Sequence, residues 1–89
     1  MNRYVAERER IWAVQIHPDK TPMAEDVSFR ELAERFEISG GDIRNAVLKA
    51  AQMAAAEEGP DERKRIHQRH FIAATERVLQ SKGVMQQTL

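Results

Sequence analysis

Two helix starts lie close together in VSFRELAERFEISGGDIRNAV, residues 27–47, and this pairing constrains the fold more than any other feature of the chain. Ser28 is followed three residues later by Glu31, a capping box in which each side chain satisfies the other's backbone N–H. Val27 and Leu32 occupy the hydrophobic-staple positions around it. The signature recurs at Ser39 and Asp42, weaker because Asp is shorter than Glu, with Ile38 and Ile43 as the staple. The pattern predicts helices over about 28–36 and 40–57, separated by a tight turn.

In the second of these, Ile43, Val47, Ala50 and Ala54 recur at three-to-four-residue spacing, a face whose alanines let another helix approach closely. Gly59-Pro60 closes it, and the charge run DERKR, 61–65, is expected to be a solvated turn. Residues 3–16 carry Tyr4, Val5, Ile11, Trp12, Val14 and Ile16 among Glu and Arg, which suits a first helix with one apolar side. The prolines of HPDKTP, 17–22, then impose a loop, because each biases the residue before it away from helical geometry. A last helix is expected over about 67–82, burying Phe71, Ala74, Val78 and Leu79 and stopped by Gly83. The folded domain therefore spans 1–83, with 84–89 as a flexible tail. No segment sustains apolar–polar alternation beyond an extended residue or two around Ile66. The fold class is all-α, a bundle of four helices.

Composition narrows the function. With 14 basic and 14 acidic residues the chain has no excess positive charge of the kind that phosphate-backbone binding uses. It has no cysteine, so neither a disulfide framework nor a thiolate metal site is open to it. Its 89 residues suffice for one modest core. No G-x-x-x-x-G-K-[ST] loop is present to cradle a triphosphate, so the chain is not expected to hydrolyse nucleotide alone. The N-terminal MNRYVAERERIW is too charged for a secretory signal or a membrane span, and a cytoplasmic setting is expected.

The rhythm of LAERFEISGGDIRNAV also fits a helix-turn-helix, in which Arg44, Asn45 and Lys49 would meet DNA. Asp42 would then face a polyanion, Glu37 stands where such turns usually place Gly, and no β-wing follows. Nucleic acid is the disfavoured alternative.

RERIWAVQIHP, PMAEDVSFRELAERF, SGGDIRNAVLKAAQMAAAEEG and a helix led by HFIAAT follow one another along about residues 7–80. In that order and spacing they resemble the C-terminal lid of AAA family ATPases. The resemblance implies a four-helix subdomain of the AAA ATPase lid type that covers the adenine and ribose of ATP, with Mg held by a separate ATPase core. Its implied partners are that core and the neighbouring subunits of a homo-hexamer, to which the lid reports nucleotide state. No membrane partner is implied.

By the same resemblance, His17 in QIHP occupies a nucleotide-side position, its alternative being a polar residue that ends the first helix before Pro18, and Gly40 and Gly41 match the small residues that approach the nucleotide. The residues agree, because an uncrowded helix N-terminus with free N–H groups favours an anion; the two glycines equally suit a tight interhelical turn. Arg44 invites comparison with the sensor arginine of such ATPases, but aligned through SGGDI the sensor position falls on Gly41. A solvated surface role for Arg44 is the alternative. Trp12 and Phe71 are expected to anchor the core, and His67 and His70 to lie on the surface without a metal.

Overall fold

A computed structural model describes the backbone of residues 3–16 and 22–87 and the side chains of 4–16 and 22–82. It is all-helical: α1 is Arg3–Val14, α2 Phe29–Arg35, α3 Gly40–Ala55 and α4 Gln68–Gln87, with a 3-10 turn at Asp61–Arg63. α1 packs on α2, α3 packs on α4, and α1 also reaches α3. Among the described residues no helix is long and apolar enough to cross a membrane.

The helix starts form where the capping residues place them. Ser28 and Ser39 are both extended N-caps, and their hydroxyls accept the backbone N–H of Glu31 at 3.1 Å and of Asp42 at 3.2 Å. The reciprocal half of the first box is not made. The Ser28 N–H goes instead to Oε1 of Gln68, at 3.0 Å, while Gln68 Nε2 donates to the Ser28 carbonyl at 3.0 Å and to Glu31 Oε1 at 2.8 Å. Gln68 is buried, and these three bonds satisfy an amide that would otherwise be stranded. The capping box therefore becomes a joint between α2 and the start of α4.

Trp12, Leu32, Ile43, Ile66 and Phe71 are fully buried. Trp12 meets Phe71 edge-on with ring centroids 5.6 Å apart and stacks on Phe29 at 6.5 Å, so the core aromatics join α1, α2 and α4. The predicted face of α3 holds, with Ile43, Val47, Ala50 and Ala54 all buried. The extended residue expected near Ile66 is a parallel bridge to Met23, in which Ala24 N–H donates to the Ile66 carbonyl and Ile66 N–H to the Pro22 carbonyl.

Other expectations need correction. The helical backbone of α4 passes through Gly83 to Gln87, because an interior glycine weakens a helix without ending it. Leu79 is 39% exposed, since it lies one residue and about 100° round the helix from buried Val78. Tyr4 and Val14 are likewise exposed, so α1 buries a narrower stripe centred on Trp12.

Candidate functional site

The described candidates gather at the first turns of α3. Gly40 and Gly41 are its first two residues, and Arg44 follows one turn later. The tight-turn explanation for the glycines does not hold: both sit inside the helix, and the described glycine with a positive φ is Gly59, at 119°. Sterics do not require them either. A Cβ on Gly40 would lie 3.9 Å from Ile11 Cγ2, and one on Gly41 3.9 Å from Ser39 Oγ, both ordinary contacts. Gly40 thus leans on α1 while Gly41 is exposed. Neither amide N–H finds an acceptor among the described residues, as expected for the opening turn of a helix.

Arg44 is exposed and has no ionic or hydrogen-bonded partner among the described residues. It lies three residues beyond Gly41, a spacing that puts the two on one face. His17 lies outside the described residues.

One charge at this site was not legible in the sequence. Lys82 of α4 donates from Nζ to Asp42 Oδ2 at 2.7 Å, bringing an ammonium group to the start of α3. This bond, with smaller help from Ser39, holds the Asp42 carboxyl below the usual carboxylate range. Asp42 therefore stays ionised where the helix dipole also favours a negative charge. Its side chain is 13% exposed and so largely covered.

A second cluster joins the end of α3 to the start of α4. Arg69 clasps Glu57 with two bonds, Nη1 to Oε2 at 2.7 Å and Nη2 to Oε1 at 3.2 Å, and His70 Nε2 lies 2.9 Å from the same Oε2. Arg69 first, then His70, hold the Glu57 carboxyl down to about 2. Asp26 accepts the Gln68 N–H and lies 3.3 Å from His67 Nδ1. Lost hydration pushes the Asp26 carboxyl up, but these hydrogen bonds outweigh it and leave it below the ordinary range. His70 is 2% exposed, which corrects its expected place on the surface; Glu57 and the His67 backbone supply the partners that make its burial tolerable. Among the described residues no three His, Asp or Glu are placed to hold a metal ion.

A cavity among the described residues lies elsewhere. It measures about 240 Å³, is lined by Pro22, Ala51, Ala54, Ala55, Lys64 and Ile66 among others, and so sits at the far end of α3 from Gly41. Lys64 of the charge run walls it, donating to the Ala55 carbonyl at 2.8 Å and pairing with Asp61 at 3.0 Å. That lysine closes the C-terminal end of α3 and is not part of a fully solvated turn.

No known protein-family model matches the chain. It is similar to Protein CdcH of Halobacterium salinarum, with 40% identity over 72 residues. The match covers 80% of this chain and 9% of the relative. The chain thus spans under a tenth of the length of the curated relative it matches.

Proposed function

We propose that this chain is the C-terminal helical lid of an AAA ATPase, placed beside a separate ATP-binding core in a cytoplasmic homo-hexamer. In that role it contacts the adenine and ribose side of ATP and transmits nucleotide state to the neighbouring subunits. It performs no hydrolysis itself, and Mg is held by the core.

The observation that carries this reading is the start of α3. Two successive glycines occupy its opening turn although neither backbone conformation nor packing demands them, and glycine loses more conformational freedom on folding than alanine would. Close approach by a ligand accounts for that cost. The exposed Gly41 backbone, with the positive end of the helix dipole behind it, suits an anionic or strongly hydrogen-bonding group. Arg44 shares that face and is free to meet charge on the nucleotide.

The experiment is Gly41→Glu in the ATPase that carries this chain, with ATP affinity as the readout. A carboxylate at that position crowds and repels the nucleotide, so binding weakens while the circular dichroism of the isolated chain is unchanged. Undiminished affinity removes Gly41 from the site. A duplex-DNA titration covers the alternative: salt-dependent binding that weakens on replacing Arg44 and Lys49 overturns the lid reading.

A further inference from the structure

His70 stands where a capping box ordinarily carries Glu or Gln, three residues after His67, which precedes the first residue of α4. Its Nδ1 accepts the His67 backbone N–H at 2.9 Å. A ring nitrogen that accepts carries no proton, so the neutral imidazole is the Nε2–H tautomer, and Nε2 donates to Glu57 Oε2 at 2.9 Å. One nitrogen closes the start of α4 and the other ties that start to the end of α3. Arg69 Nη1 lies 3.1 Å from Nε2, but both are donors in this tautomer, and they meet through the Glu57 carboxylate that each of them binds.

We propose that His70 is a proton-sensitive cap: uptake of a proton from water at Nδ1 abolishes the bond from the His67 N–H and releases the start of α4 and the 58–67 connection. A protonated imidazole donates from both nitrogens, so the His67 amide is then left facing another N–H.

Among the described residues, the carboxylates closest to the ring are already engaged. Glu57, from the end of α3, is committed to Nε2–H and to Arg69, and its carboxyl stays ionised throughout the range in which an imidazole titrates. At the start of α4, Arg69 and the preceding His67 supply further donors. Asp26, from the segment before α2, is taken by the Gln68 N–H and the His67 ring. Arg63, Lys64, Arg65 and Glu58 line the hollow beside His67. Protonation therefore changes the Nδ1 bond and leaves the Nε2 bond in place.

The test is 15N NMR of the 89-residue chain over a descending pH series, carried down until the ring nitrogens of His70 report protonation. At the upper end His70 is expected to show the Nε2–H tautomer and a scalar coupling across the N–H···N bond from the His67 amide. As His70 gains its proton the coupling vanishes, and protection of the His67 amide falls roughly tenfold, the loss of about one hydrogen bond. In His70→Gln, whose side-chain amide can accept and donate in the same two directions without titrating, that protection stays constant. An Nδ1–H tautomer, a coupling that survives protonation, or the same protection profile in His70→Gln overturns the proposal. Should the variant fail to fold, the tautomer and the coupling in the unmodified chain decide by themselves.

Discussion

Lys82 and Asp42 join the last helix to the first turn of α3 through a 2.7 Å charged hydrogen bond, although they stand forty positions apart in the chain. Asp42 is largely covered and Lys82 about half exposed, so solvent screens one side of the pair and not the other. Lys82→Met, which keeps the aliphatic stem, is expected to lower stability by about 0.5–1 kcal/mol in urea unfolding at low salt. Molar salt should shrink the difference, because exposed charge is screened over a few ångströms there. A difference independent of salt would assign the effect to packing of the stem.

Acid should loosen the junction of α3 and α4 in a defined direction. The Glu57 carboxyl is held at about 2 against an ordinary value of 4.5, so it contributes stability that is complete above 4.5 and lost as the pH falls through about 2. Asp42 and Asp26 are shifted the same way, and their contributions disappear in the same direction. Thermal unfolding followed by circular dichroism should therefore show stability decreasing below about pH 4.5. The slope for Glu57→Gln should be shallower, since that variant has no such proton to take up. Equal slopes would mean that the Arg69 clasp contributes nothing in solution.

What the sequence made legible was local. Ser28 and Ser39 announce their helices because a capping hydroxyl needs only the three residues that follow, and the Ile43, Val47, Ala50, Ala54 face needs only helical periodicity. The errors arise where a distant group intervenes. Gln68 displaces Glu31 from the Ser28 N–H, and Lys82 reaches Asp42 across the bundle. Burial of His70 depends on Glu57, which periodicity cannot pair with it. Leu79 is a different case: periodicity offers both Val78 and Leu79 to the core, and the packing of α4 buries Val78 while leaving Leu79 at its edge. At the candidate site, Gly40, Gly41 and Arg44 were legible as a helix start, while the ammonium of Lys82 was not.

The Gln68 joint offers a sharper test of the packing. Gln68→Ala removes the acceptor of the part-buried Ser28 N–H and should cost about 1 kcal/mol, the net worth of one hydrogen bond, less whatever Glu31 recovers by closing the capping box. Gln68→Glu should also destabilise near neutral pH, because a carboxylate can still accept from Ser28 but would face the Ser28 carbonyl and the Glu31 carboxylate without a proton to donate. Protonating that pair should restore part of the loss, so the Glu variant recovers stability relative to the Ala variant as the pH is lowered. Chemical denaturation at two pH values measures the difference; parallel behaviour of the two variants would show that the joint does not depend on donation from position 68.

The glycines separate stability from function. Gly40→Ala and Gly41→Ala introduce a Cβ at helical positions with 3.9 Å of clearance, so each should raise the stability of the chain by about 0.4–1 kcal/mol through a more restricted unfolded state. If the start of α3 receives a nucleotide, the exposed position must carry a functional cost that the covered one does not. Gly41→Ala should therefore stabilise the chain yet weaken ATP binding in the ATPase that contains it, whereas Gly40→Ala, whose Cβ turns toward Ile11, should stabilise with little effect on affinity. Thermal denaturation of the chain and nucleotide titration of the larger protein read the two effects independently. Stabilisation by both variants with affinity intact in both would mean that the opening turn of α3 has no close ligand, and the proposed lid contact would have to lie elsewhere.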